Sequence, residues 1–173
     1  MGTDHVGSAE TEGMVIHWAG FYDWIMTVMF LGREARFRRR MLDAADLQPG
    51  QHVLDVGCGT GTLAVAAAIV VGDDGRVFGV DPAGEMIARA RRKAEEAGAD
   101  VELDVAAVES LPYPDGCMDV VISTLVFHHL TRRLQGLAVA EMRRVLLPGG
   151  RLVVIDFGGA RQIGRLTAHA TAV

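Results

Sequence analysis

Short apolar runs alternate with longer amphipathic stretches along most of this chain. "HVLDVG" (52–57) is short and largely apolar on both sides of its alternation, which predicts a strand buried on both faces. "TLAVAAAIVV" (62–71) predicts a helix that ends at Gly72, and "RVFGVD" (76–81) a second strand. In "AGEMIARARRKAEEAG" (83–98), Met86, Ile87, Ala90 and Ala94 share one side of a helix, with Gly98 placed to stop it. "VELDV" (101–105) and "MDVVIST" (118–124) predict the third and fourth strands. "LQGLAVAEMRRVL" (134–146) repeats Leu134, Leu137, Ala138, Met142, Val145 and Leu146 at helical spacing. "PGG" (148–150) then turns the chain into a fifth strand, "RLVVIDF" (151–157).

Strands that alternate with helices need crossover connections, so the expected architecture is α/β: a doubly wound, mostly parallel sheet covered on both faces. Ligands of such sheets bind beyond the carboxyl ends of the strands, where the strand order reverses. Four segments follow from the pattern: a flexible tail over 1–13, a helical lid region over 14–48, an α/β core over 49–157 and a short C-terminal segment over 158–173.

Composition narrows the class. A chain of 173 residues, 50% apolar and 23% charged, suits one soluble domain with a substantial core. A net charge of −5 argues against a nucleic-acid partner, since phosphate binding shows as a basic excess. Cys58 and Cys117 stand far apart and outside any CxxC pair, so neither a disulfide framework nor a metal site is expected, and a reducing cytoplasm is the economical location. Residues 15–31, "VIHWAGFYDWIMTVMFL", look membrane-like, but His17 and Asp23 interrupt a run already short for spanning. A helix packed on the core is the preferred reading.

The candidate chemistry begins in "VLDVGCGTG" (53–61), where Gly57, Gly59 and Gly61 follow the first strand. Glycine at such spacing means a sharp turn or a close approach by something else. A dinucleotide fingerprint needs G-x-G-x-x-G, and here the third glycine comes one residue too early. The pattern is D-x-G-x-G-x-G from Asp55. A pyrophosphate cradle is not required, whereas a strand-end carboxylate suits a ligand with a cationic group. A second carboxylate, Asp81, ends the second strand and can accept hydrogen bonds from both hydroxyls of a ribose. Its competing role is to cap the following helix, which Pro82 can begin. Together these residues ask for a nucleoside with a positive appendage and no phosphates.

"VLDVGCGTG", "VFGVDPAGEMIARARRKA", "ESLPYPDGCMDVVIS", "LVFHHL" and "EMRRVLLPGGRLVVIDF" resemble, in order, the motifs of class I S-adenosylmethionine-dependent methyltransferases. The likeness covers roughly residues 14–157 and is nearest to the ubiquinone- and menaquinone-type C-methyltransferases and small-molecule methyltransferases. It implies a Rossmann-like methyltransferase fold and S-adenosylmethionine as cofactor. By the same resemblance Gly57, Gly59 and Gly61 pass close under the methionine part of the cofactor, and Asp55 helps to hold its ammonium end. Asp81 would bind the ribose, Pro82 and Met86 would line the adenosine, and Val108 would make a backbone contact to adenine. Ser123 belongs to the same cofactor set. The family commonly has Asp where this chain has Ala107, with Glu109 and Asp104 as the nearby acidic residues.

The acceptor is expected on the side of the fourth strand, where Ser123, Thr124, Phe127, His128 and His129 make "STLVFHHL" a candidate substrate wall. No N-P-P-Y or D-P-P-Y sequence of the kind used on nucleobase or amide nitrogens is present. His128 or His129 is a candidate general base, in competition with a plain role in capping or packing a helix start. Near the N-terminus, Tyr22 matches the family's lid and joins the cofactor set, while Trp18, Phe21 and Trp24 are candidate acceptor walls or core. Arg33, Arg36, Arg38, Arg39 and Arg40 read as a solvated helix face. Only "GGARQIGRLTAHATAV" follows residue 157, too short for the helix and antiparallel strand pair with which the family fold continues. Either the sequence is a truncated form, or strand five is left as an uncovered edge, which invites a homodimer. The leading expectation is methyl transfer to a small, aromatic or apolar acceptor. The alternative is a non-catalytic methyltransferase-like partner subunit, and a nicotinamide dehydrogenase is a distant third.

Overall fold

The computed structural model describes residues 34–156. The expectations for Trp18, Phe21, Tyr22, Trp24, Arg33 and the C-terminal segment lie outside them. Within them, five strands alternate with helices: α1 (Glu34–Ala45), β1 (His52–Val56), α2 (Thr62–Val71), β2 (Arg76–Asp81), α3 (Gly84–Ala97), β3 (Val101–Val105), β4 (Met118–Thr124), a 3₁₀ turn (Phe127–His129), α4 (Arg132–Val145) and β5 (Leu146–Ile155). The strands form one sheet in the order β3-β2-β1-β4-β5, and every pairing is parallel. The order reverses between β1 and β4, so the carboxyl ends of these two strands flank the switch point.

The period-two alternation sorts the core into two layers. Val53, Val77, Val120 and Ile122 pack with Ala45 at the end of α1, with Leu47 just after it and with Ala64, Ala67 and Val71 of α2. Leu54, Val56, Val80, Val121 and Leu152 pack with Ala138, Met142 and Val145 of α4. Ile87, Ala90 and Ala94 of α3 meet Val65 of α2 and Leu103 of β3. Part of the expected lid region is therefore core: Met41, Ala45 and Leu47 are buried, while Arg36, Arg39 and Arg40 on α1 face solvent.

Most expected boundaries match within a residue or two. The largest difference is β5, which pairs from Leu146 rather than from Arg151. Met118 pairs Leu146 and Val120 pairs Arg151, so Pro148, Gly149 and Gly150 bulge out of a strand that the turn signals alone would have ended. A side chain at Gly150 would stand 2.9 Å from the carbonyl oxygens of Asp119 and Leu147, which makes glycine obligatory at the re-entry. Helix α4 begins at Arg132, two residues earlier than its apolar pattern, because the Thr131 hydroxyl accepts the Leu134 N–H at 3.3 Å.

Candidate cofactor and acceptor site

The glycine loop leaves β1 with Gly57, Gly59 and Gly61 all at positive φ (74°, 54° and 74°). The Gly57 and Cys58 N–H groups both donate to the Val80 carbonyl, at 2.8 and 2.9 Å, which folds the loop back over the end of β2. A Cβ at Gly57 would overlap the Val126 side chain, and one at Gly61 would lie 2.7 Å from the Ala90 Cβ of α3. Backbone conformation and close approach therefore both demand glycine at these two positions. The chain's single lysine, Lys93, braces the loop from α3 by donating to the Thr60 hydroxyl at 2.9 Å and to that of Thr62.

Two carboxylates sit beneath this loop. Asp81 Oδ2 accepts the Gly59 N–H at 3.0 Å and Oδ1 the Ala83 N–H at 2.9 Å. Capping and loop support thus coexist in one side chain, although α3 starts at Gly84, with Ala83 as its cap residue. Burial raises the Asp81 pKa, and the two backbone donors oppose the rise. Asp55 is only 3% exposed. Burial, and then the neighbouring Asp81 charge, push its pKa from 3.8 up to about 7, against a lowering hydrogen bond from the Ala64 backbone. Two crowded carboxylates with depleted solvation form a place where an added positive charge is favoured. An ionised carboxylate has about four acceptor positions, so the two backbone bonds at Asp81 leave capacity for hydroxyl donors. The donor set fits S-adenosylmethionine.

Other expected cofactor residues sit deeper. Met86 and Val108 are 3% and 7% exposed, and Pro82 is half-buried. The Ala106 N–H donates to the Asp81 carbonyl at 3.2 Å, which brings the 106–110 turn beside the second strand end. Ser123 is fully buried and its hydroxyl donates to the Val56 carbonyl at 3.0 Å, clamping β4 to β1 under the glycine loop. Asp104 accepts the Tyr113 hydroxyl at 3.1 Å, and the Oε2 of Glu109 is shielded from solvent.

On the side where the acceptor is expected, β4 gives way to Leu125 at φ 60°, a left-handed residue directly after the strand. The buried Thr124 hydroxyl makes no hydrogen bond within the described residues. The 3₁₀ turn that follows carries Phe127, His128 and His129, and the Gln135 side-chain amide holds it by donating to the Phe127 carbonyl at 2.9 Å. The two imidazoles lie against each other, with ring centroids 3.8 Å apart. Burial and then the neighbouring His128 lower the pKa of His129, with Asp156 opposing. Three residues were missed from sequence: Val126, which touches the glycine loop, Gln135, and Asp156, which meets His128. A carboxylate ending a strand was the signal used for Asp55 and Asp81, and the same signal was present in "VIDF".

The comparisons agree with this geometry. Residues 53–150 match the family model described as "Methyltransferase domain". The chain is 38% identical over 136 residues to a demethylmenaquinone methyltransferase of Thermus thermophilus, covering 79% of this chain and 60% of the relative. It is 34% identical over 162 residues to a ubiquinone/menaquinone biosynthesis C-methyltransferase of an Enterobacter species, covering 90% and 64%. A crystal structure of an S-adenosylmethionine-dependent methyltransferase from Aquifex aeolicus superposes with a TM-score of 0.64 at 29% identity, over 73% of this chain and 67% of that one. The chain belongs to the methyltransferase-domain family, within the class I S-adenosylmethionine-dependent group, and its sheet is the Rossmann-like fold of that group. It spans about three fifths of the length of the two relatives named. Among the described residues, no helix is long and apolar enough to cross a membrane.

Proposed function

We propose that the chain binds S-adenosylmethionine over the glycine loop and catalyses methyl transfer to a small, aromatic or apolar acceptor. The observation that carries this reading is the pair of strand-end carboxylates, Asp55 and Asp81, crowded under a loop whose glycines admit no side chain. When bound, the cofactor supplies an electrophilic methyl group on a positively charged sulfur. On this reading residues 49–157 are the cofactor-binding core. Asp55 offers its charge to the ammonium end and Asp81 its remaining acceptor positions to the ribose. Gly57, Gly59 and Gly61 let the ligand approach the backbone, and Pro82, Met86 and Val108 border the adenosine side. Ser123 keeps the β1 and β4 ends in register, and Tyr22 belongs to the proposed cofactor set.

The acceptor stands against Thr124, Phe127, His128 and His129. Methyl transfer in line with the breaking bond needs alignment and exclusion of water more than covalent catalysis. The names of the two quinone-methylating relatives make a prenylated naphthoquinol the first acceptor to try. The net charge of −5 supports a small molecule over a nucleic acid, and two unpaired cysteines support a cytoplasmic setting.

Calorimetric titration of S-adenosylmethionine and its demethylated product into the 173-residue chain tests the reading. The parent should bind both, and D81A should bind at least about tenfold more weakly, since hydrogen bonds to a charged group are lost. A folded parent that binds neither would overturn the proposal. Binding without transfer to any member of an acceptor panel would favour the non-catalytic partner subunit instead.

A further inference from the structure

Helix α3 meets the glycine loop at two places one turn apart. A Cβ at Gly61 would stand 2.7 Å from the Ala90 Cβ, and Lys93, three residues further along α3, reaches the residues on either side of Gly61. Its Nζ donates to the Thr60 hydroxyl at 2.9 Å and to the Thr62 hydroxyl at 2.5 Å. Thr60 is only 4% exposed and Lys93 is half-buried, so these bonds are partly shielded from water. Among the 17 Lys and Arg positions of the chain, this one alone is lysine. A compact ammonium can turn its three donors toward two neighbouring hydroxyls, whereas a guanidinium presents a rigid planar fork. The placement does little for α2 itself. Thr62 is the first residue of that helix, where the helix dipole is already positive, so a cation there works against it.

We propose that Lys93 is a positioning residue whose ammonium, bridging the Thr60 and Thr62 hydroxyls, latches the glycine loop in its cofactor-ready form and thereby sets the affinity for S-adenosylmethionine. This rests on the cofactor-binding reading above. The loop between β1 and α2 is otherwise held by backbone groups and by Asp81, which accepts the Gly59 N–H at 3.0 Å. Gly61, the cap residue of α2, brings no side-chain bond. On the proposed reading Asp81 has a second task, since its remaining acceptor positions take the ribose hydroxyls. Lys93 fixes the very next residue, Thr60, from α3, so the loop does not depend on Asp81 alone when the ribose draws on that carboxylate. Lys93 touches no cofactor atom in this account and acts through the loop.

K93M keeps the aliphatic stem and removes the donors, and T60V breaks the same latch from the other side. In calorimetry of the 173-residue chain each should bind S-adenosylmethionine about tenfold more weakly than the parent. T60S keeps the hydroxyl and should stay within about threefold of the parent. The K93M/T60V double variant should lose no more than K93M alone, whereas independent losses would multiply to about 100-fold. Two readouts need no cofactor. Amide exchange at Gly59 and Gly61 should quicken about tenfold in K93M while the β1 amides keep their rates. With ¹⁵N-lysine the chain gives a single side-chain ammonium resonance, which T60V should shift and T60S should leave near its place. Parent-like affinity in folded K93M or T60V, or losses that multiply in the double variant, overturns the proposal. Exchange that is unaltered in the loop, or that quickens equally through β1, overturns it as well, the latter by showing a residue that serves only global stability. A parent that binds no cofactor defeats the methyltransferase reading instead, and the exchange rates and the ammonium resonance then decide the latch by themselves.

Discussion

The glycine loop and the histidine turn lie at the carboxyl ends of neighbouring strands, β1 and β4, but they are held by different means. Backbone atoms do most of the holding in the first: Gly57 and Cys58 donate to Val80, and Gly61 to Cys58. Three positive φ angles are taken up by three glycines, so the loop stores little strain. In the second, a leucine takes the left-handed angle, and side chains hold the turn, Gln135 from the helix that follows and Asp156 from the end of β5. A cofactor common to many acceptors suits a surface made of backbone, which side-chain change cannot easily alter. On the proposed reading, an acceptor wall would suit side chains on a braced turn. The two halves meet where Gly57 approaches Val126, so neither is mechanically independent.

G57A tests that junction and should have the largest effect. It combines a left-handed backbone with overlap against Val126, for an expected loss of about 3 kcal/mol in denaturant unfolding. Any folded fraction should also show displaced His128 resonances, and unmoved ones would mean that the halves are uncoupled. R144A perturbs neither half directly. Arg144 donates to Glu141, Asp115 and the carbonyls of Leu111 and Tyr113, pinning the 111–115 loop to α4. Its loss should cost about 2 kcal/mol of stability with cofactor affinity unchanged.

A smaller effect distinguishes the acidic half by its pH dependence. Asp55 has its pKa raised from 3.8 to about 7, so the folded protein holds this proton more tightly than the unfolded chain does. Its contribution to stability is full below 3.8 and falls as pH rises toward 7. Affinity for a cationic cofactor should run the other way, rising about tenfold from pH 6 to 8 if only the carboxylate form binds. D55N should flatten both slopes, which paired unfolding and titration series would read. T131A, at the start of α4 behind the histidine turn, should cost about 1 kcal/mol through the lost cap and leave the pH slopes intact.

Much of the fold was legible because its signals are local. β2, β3 and β4 coincide with their apolar runs, and α2 with the run that Gly72 ends. The β5 boundary was not, since Pro148, Gly149 and Gly150 read as a turn until the Met118–Leu146 pairing carries the strand through them. The site divides in the same way. Asp55, Asp81 and the glycines stand within one motif and its following strand, so spacing alone exposes them. The bond between His128 and Asp156 exists only because β4 and β5 run in parallel with Thr124 beside Ile155. Ser123 was expected among the cofactor residues, but which face of β4 it occupies depends on β1 lying alongside to take its hydroxyl.

What this sequence determined by itself is the set of elements, their alternation and the D-x-G-x-G-x-G loop, because periodicity and glycine's backbone freedom act over a few residues. Tertiary structure alone decided the strand order, the burial that lifts Asp55, the closeness of Gly57 to Val126 and the carboxylate placed against His128. Those depend on register between strands distant along the chain, and register is settled by packing both faces of the sheet at once.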